Sequence, residues 1–320
     1  MKKNKIKDTG LEVTELSFGT SSLGSMPDTY GYEVPEQRAQ ETLKRFFQGP
    51  VNMLDTSRNY AMGESEKRIG IAIKENGGWP ENFILSTKID RNMETLVLDK
   101  KRTRESIEES LKTLNVDSVD ILFLHDPEYV KDVNDITKKD GALDELFKIK
   151  EEGLAKAVGL AMGKINIMFP LLKNWDFDVI INHNRYTLLN READEMYSYA
   201  HSKNISIFNA APYAGGVLAK GPSNFKKITY QDVTEEKLAP AREIEKVCKK
   251  YNVEMGAAAL QFSMKDKRIT STLCGVTSVQ SIEKNLSWAQ TSIPEKFWSE
   301  LLKLPFSTKD PESERIFTPG

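Results

Sequence analysis

Short runs of apolar and β-branched residues recur at VTELSFG (13–19), VNMLD (51–55), FILSTK (83–88), SVDILFLH (118–125), KAVGLA (156–161), DVIIN (178–182), ISIFNA (205–210) and STLCG (271–275). Runs of this length and composition are the pattern of strands covered on both faces. Between them lie charged segments whose apolar positions return every three or four residues, as in helices with one buried face. Examples are RTRESIEESLKTL (102–114), ALDELFKIKEEG (142–153), READEMYSYAHSK (191–203) and AREIEKVCKKYN (241–252). Several stop at Gly or Asn, residues that tolerate the left-handed backbone of a helix end. The β-then-α order repeats eight times, which predicts a parallel (β/α)8 barrel spanning 1–320 as a single domain, with an open doubly wound sheet as the alternative. Against the open sheet, no GxGxxG separates the first strand from a helix; the strand runs into GTSSLG (19–24) instead. The opening KIKDTGLEV carries a turn signal at Asp8-Thr9-Gly10, which predicts a β-hairpin capping the bottom of the barrel.

Composition narrows the range of functions. With 320 residues, 39% of them hydrophobic, the chain can bury a sizeable core, so disorder is excluded as a reading of the whole. The 45 Lys+Arg nearly balance 47 Asp+Glu, without a polybasic run, and this gives no support to a nucleic-acid or membrane-surface role. The N-terminus is basic but lacks an apolar signal core, and no stretch approaches the ~18 apolar residues of a membrane span. A cytoplasmic protein is expected, as a monomer or homodimer. Cys248 and Cys274 stand alone in sequence, so neither a disulfide framework nor a metal site is indicated.

In a barrel of this kind, reacting groups sit at the C-terminal ends of strands and in the loops beyond them. Four ionisable residues occupy such places: Asp55 ends the second strand, Tyr60 follows it, Lys88 ends the third and His125 the fourth. Each alone reads equally well as a solvated loop charge or a satisfied core group. Together they form a workable acid–base set at one mouth. A phenol with an ordinary pKa near ~10 needs a neighbouring cation to exchange protons at neutral pH, and Lys88 is expected to lower it. Asp55 would hold Lys88 charged, and His125 would orient the substrate oxygen.

The segments DTSRNYAMGESE (55–66), STK (86–88) and LHDPE (124–128) resemble the aldo-keto reductase family, and the likeness spans nearly the full chain. It implies a (β/α)8 fold and a catalytic tetrad of Asp55, Tyr60, Lys88 and His125, with Tyr60 as general acid/base. It also implies a nicotinamide cofactor laid across the barrel mouth. NAAPYAGGVLAKG (209–221) would then meet the pyrophosphate, where Gly215 and Gly216 allow close backbone approach, with Tyr213 contributing backbone and Leu218 a further contact. CGVTSVQSIEKN (274–285) is similar to the family's adenosine segment, which places Gly275, Thr277, Ser278 and Ser281 at the phosphate edge and Asn285 near adenine. Gly19, Thr20 and Asp55 complete the expected cofactor contacts. Positions 275–283 hold no Arg or Lys to meet a 2′-phosphate, which favours NAD over NADP, while Lys284 keeps NADP open.

Two positions depart from the family pattern. Ala161-Met162 stand where many members have a Ser-Asn pair on the nicotinamide carboxamide, and His183 would substitute as donor. Ala210 replaces the Tyr that commonly stacks on the nicotinamide ring. LHDPE (124–128), RYTLLNRE (185–192), NAAPYAGGVLA (209–219) and AAALQF (257–262) are similar to the D-threo-aldose 1-dehydrogenase branch, also called fucose or galactose dehydrogenases. That likeness implies oxidation of an aldose such as L-fucose, D-arabinose or a galactose to its lactone, with Tyr60 as base. Arg58, Asn59, Tyr129 and Tyr213 would be able to reach the sugar. The alternatives are another carbonyl or alcohol substrate, such as pyridoxal, and a cofactor-binding module without catalysis.

Overall fold

The computed structural model describes residues 1–315 and places eight parallel strands in a closed ring. A hairpin of β1 (Lys3–Lys5) and β2 (Glu12–Thr14) precedes β3 (Leu16–Gly19), β4 (Met53–Asp55), β5 (Ile84–Ile89), β6 (Val119–His125), β7 (Ala155–Met162), β8 (Val179–His183) and β9 (Ser206–Ala210). A two-stranded insert, β10 (Lys227–Ile228) and β11 (Gln231–Asp232), precedes β12 (Ser271–Gly275), which pairs with both β9 and β3 and so closes the barrel. The predicted fold class is therefore the observed one.

The helices form the outer layer. In order they are α1 (Pro27–Tyr30), α2 (Glu36–Phe47), α3 (Glu64–Glu75), α4 (Lys100–Leu114), α5 (Asn134–Thr137), α6 (Ala142–Glu151) and α7 (Ile165–Asn174). They continue with α8 (Asp194–Ser202), α9 (Val217–Lys220), α10 (Glu235–Lys250), α11 (Met255–Met264), α12 (Val279–Gln290) and α13 (Glu295–Leu301).

Alternation along each strand sorts side chains between two cores. Met53, Ile84, Ile121, Phe123, Val179, Ile181 and Phe208 pack inside the barrel, while Leu54, Leu85, Leu122, Leu124, Ile180 and Ile207 pack outward with the helices. Continuing each inward row upward by two residues reaches Asp55 above Met53, His125 above Phe123 and His183 above Ile181; on β5, the row from Ile84 rises through Ser86 to Lys88. The periodicity that builds the core thus delivers polar groups to one rim. Gly159 is required in this wall, because a Cβ there would lie 1.8 Å from the Val179 carbonyl oxygen on the neighbouring strand.

The hairpin plugs the opposite end, as its turn signal predicts, with Ile6 and Val13 joining the inner core. The run read as one strand over 13–19 is in fact two, bent at Glu15. The Thr14 hydroxyl donates to the Leu16 carbonyl at 2.7 Å, and the Thr14 amide donates to Asn52 at 2.8 Å, so the chain turns from hairpin into barrel there. Both cysteines are buried, which pushes each thiol up to about 12. Among the described residues no helix is long and apolar enough to cross a membrane, and no group of three or more His, Cys, Asp or Glu could hold a metal ion.

Candidate active site

Lys88 is 1% exposed, and a charge so deeply buried needs full pairing. Its three N–H donors have three oxygens: Asp55 Oδ2 at 2.7 Å, the Thr56 carbonyl at 2.6 Å and Tyr60 Oη at 3.0 Å. Ser86 donates to the other Asp55 oxygen at 2.6 Å, fixing the carboxylate from the same strand as Lys88. Since an ammonium only donates, Tyr60 Oη accepts from it, and the phenol proton is left to point elsewhere. Tyr60 opens a short turn, Tyr60–Gly63, in which Ala61 and Met62 take left-handed backbone (φ 51° and 54°), bringing the ring back over the mouth.

The phenol differs from expectation in one respect. It is held well above its ordinary value: burial is the largest cause, and the Asp55 carboxylate adds to it. The Lys88 ammonium that was expected to lower it is itself paired with Asp55 at 2.7 Å.

His125 is oriented by a residue outside the predicted four. Its Nδ1 lies 2.6 Å from Oδ1 of fully buried Asp90, whose other oxygen accepts from the Ser57 hydroxyl at 2.5 Å and the Asn59 amide at 2.9 Å. This leaves Nε2 to face the cleft, 3.7 Å from Asp126 Oδ2. Burial opposes the imidazolium, but the carboxylates of Asp126 and Asp90 outweigh it, and His125 is raised above its ordinary value. Asp90 is lowered in turn: its burial is outweighed by His125. The Tyr60 and His125 rings meet edge to face, 5.7 Å apart. A sequence signal for Asp90 exists, since it lies two residues beyond Lys88 and shares its inward parity.

A cleft of about 350 Å³ opens above this cluster, within the range of small-molecule sites. From the four residues it runs past Ala161, Met162, His183 and Ala210 to a wall of Gly215, Gly216, Gly275 and Thr277. Gly19, Asp55 and Tyr213 also line it. The other expected cofactor contacts are not among its lining residues. Thr20 is fully buried, its hydroxyl donating to the Asp55 carbonyl at 2.9 Å, and Leu218 is fully buried in a core with α10 and α11. Ser278 and Ser281 cap α12 reciprocally, and the Ser281 hydroxyl already accepts from the Thr277 and Ser278 amides at 2.9 and 3.1 Å. Asn285 is occupied at both ends, by the Tyr213 hydroxyl and by the Ser281 carbonyl. The Tyr213 hydroxyl is thereby engaged, while the residue itself lines the cleft. Arg58 is likewise directed to Glu109, at 3.2 Å, whereas Asn59 and Tyr129 line the cleft.

Residues 310–315 form a strap, and Glu312 reaches into the cleft wall. Its carboxylate accepts from Asn184 at 2.5 Å and lies 3.5 Å from His183 Nδ1, 3.6 Å from Arg185 and 3.5 Å from Arg315. Burial opposes ionisation of Glu312, and contacts with His183, Arg185 and Arg315 more than offset it. Arg185, 1% exposed, also donates to Asp310 at 2.6 Å. The Pro311 carbonyl accepts from Thr229 and Gln231, which binds the strap to the loop carrying the two glycines.

A closed parallel barrel with this buried polar group at its C-terminal mouth belongs to the class of barrel oxidoreductases. Residues 15–304 match the Aldo/keto reductase family, and the chain belongs to that family. It is 31% identical over 292 residues to L-galactose dehydrogenase of Arabidopsis thaliana, covering 88% of this chain and 85% of that one. It is 25% identical to pyridoxal 4-dehydrogenase of Microbacterium luteolum (93% and 96% covered) and 26% identical to D-threo-aldose 1-dehydrogenase of a Pseudomonas species (91% and 94%). The fold is shared with an aldo-keto reductase of Bacillus halodurans in its holo form, with a TM-score of 0.79 at 21% identity over 99% of this chain and 100% of that one.

Proposed function

We propose that this oxidoreductase oxidises the anomeric carbon of a cyclic aldose to a lactone, with a nicotinamide dinucleotide as acceptor and Tyr60 as the general base. The observation that carries this reading is the three-way grip of Lys88 on Asp55, Thr56 and Tyr60 beside a His125 whose Nε2 is free of Asp90 and faces the cleft. His125 Nε2 would donate to the anomeric oxygen and hold C1 in place. Tyr60 Oη, deprotonated on the alkaline side, would take the hydroxyl proton, with Lys88 donating to the same oxygen and stabilising the phenolate before the transfer. Two of the three relatives carry names of sugar dehydrogenases, which agrees with the segments quoted from the sequence.

The cleft suits a nicotinamide dinucleotide. Gly215 and Gly216 have φ of 76° and 119°, and a Cβ at 215 would meet the Tyr230 amide nitrogen at 2.8 Å, so glycine lets this turn pack on the 229–230 backbone and line the cleft without a side chain. Lys220 and Lys227 line the same arm and would supply positive charge for a pyrophosphate, Lys227 from a loose pair with Asp232 at 3.7 Å. When bound, the dinucleotide supplies the two-electron acceptor. His183 lines the cleft with Ala161 and Met162 and would offer the carboxamide the polar contact that those two side chains lack. A preference for NAD is supported by Lys284, whose ammonium is already paired with Glu254 at 2.6 Å.

The pyridoxal 4-dehydrogenase likeness, together with four rim tyrosines (Tyr30, Tyr32, Tyr129 and Tyr230), supports a second reading in which the hemiacetal is that of pyridoxal. The test is formation of reduced nicotinamide with NAD or NADP across a panel of aldoses, pyridoxal and simple alcohols, on the alkaline side where a raised phenol can serve as base. Turnover of one or more aldoses, faster with NAD, is expected. Silence on every aldose with turnover of pyridoxal or simple alcohols would overturn the aldose reading.

A further inference from the structure

Asp126 is the charged residue closest in sequence to His125, and strand alternation would turn it away from the cleft. Its backbone instead takes the left-handed conformation (φ 44°, ψ 50°) directly before Pro127, a combination that disfavours the residue preceding a proline. The Asp126 amide donates to the Ala161 carbonyl at 2.9 Å, which fixes the reversal. The result is a carboxylate on the cleft wall, 3.7 Å from the imidazole nitrogen that faces the substrate.

Orientation of the imidazole does not require it, because Asp90 already holds Nδ1 at 2.6 Å. Among the described residues, His125 Nε2 is the cation it pairs with, and its side chain is 20% exposed toward the cleft. Its acceptor capacity is therefore available for a ligand with hydroxyl donors. A substrate oxygen on His125 Nε2 would put the substituent of the adjacent carbon beside Asp126. An apolar substituent there would strand a half-buried carboxylate, whereas a hydroxyl would satisfy it.

We infer that Asp126 accepts a hydrogen bond from the hydroxyl on the carbon next to the reacting one, and so selects 2-hydroxy substrates. In its sugar form this rests on the aldose reading above. The chemistry it names, a hydroxyl α to the reacting carbon, is testable without that reading.

Two substrate pairs are measured in the wild type, Asp126→Ala and Asp126→Asn: an aldose against its 2-deoxy analogue with NAD, and glycolaldehyde against acetaldehyde with NADH. The wild type is expected to favour the hydroxylated member of each pair by about 10- to 100-fold in kcat/KM, the range of one charge-assisted hydrogen bond, chiefly through KM. In Asp126→Ala the preference should fall to within about threefold, with Asp126→Asn between. Loss of a merely structural role would depress both members of a pair equally and leave the ratio intact; an unchanged ratio in a folded variant overturns the proposal. If aldoses are silent but the glycolaldehyde preference is present and lost in Asp126→Ala, the aldose reading fails while the role of Asp126 stands.

Discussion

At the scale of single residues, the site is a set of buried charges whose partners decide their protonation. His125 is flanked by two carboxylates and is raised above 6.5, while Asp90 is lowered. A raised histidine contributes stability that is fully present below its unfolded value and is lost as pH rises through the folded one. The chain has three histidines, so their ring protons are resolvable by NMR. His125 is expected to titrate above 6.5, and Asp90→Asn to move it downward; a midpoint at or below 6.5 in the wild type would contradict the pairing. The four expected residues were legible because each ends or follows a strand of recognisable alternation. The state of Tyr60 was not, since it depends on burial and on the nearby Asp55 carboxylate, which no local pattern records.

Elements were read best where one face meets the core and the other meets water. The helix over 102–114 is observed as Lys100–Leu114, and 142–153 as Ala142–Glu151. α11 was not read as a helix: seven of its ten residues are buried, including Gly256, where a Cβ would strike Trp288, so it lacks the polar face that marks a period. The strap over 310–315 was equally hidden, because its partners lie far along the chain, from Gln231, 80 residues from Pro311, to Asn184, 128 residues from Glu312. Glu312→Gln should destabilise the fold by about 1–3 kcal/mol at neutral pH, the cost of weakening a buried charged hydrogen-bond set. The sign follows from a lowered carboxyl: the contribution is present above its unfolded value near ~4.3 and is lost only as pH falls through the lower folded one. Urea unfolding of both proteins at neutral and acidic pH checks this. Equal stability at neutral pH would show that the strap's carboxylate contributes nothing.

For the whole molecule, eight repeats of one unit made the closed barrel readable, and closure is what gathers groups from residues 55, 60, 88 and 125 at a single mouth. The same closure leaves the cleft walls to loops and the strap, and there the reading was weakest. Of the expected cofactor contacts, Gly19, Asp55, His183, Tyr213, Gly215, Gly216, Gly275 and Thr277 line the cleft. Thr20, Leu218, Ser278, Ser281 and Asn285 are not among the residues lining it, and their side chains are engaged within the protein. Barrel geometry follows from alternation and strand order, whereas a wall is set by side chains that satisfy one another across long stretches of chain.

The central claim is that Tyr60 transfers the proton in a nicotinamide-dependent oxidation, and Tyr60→Phe tests it most directly, because it removes one oxygen and keeps the ring that packs against His125. Single-turnover formation of reduced nicotinamide is followed alongside cofactor affinity in both proteins. Turnover is expected to fall by at least about a thousandfold, within the range of general acid–base contributions, with the cofactor dissociation constant unchanged within about threefold. Turnover of Tyr60→Phe near the wild-type rate would contradict the account.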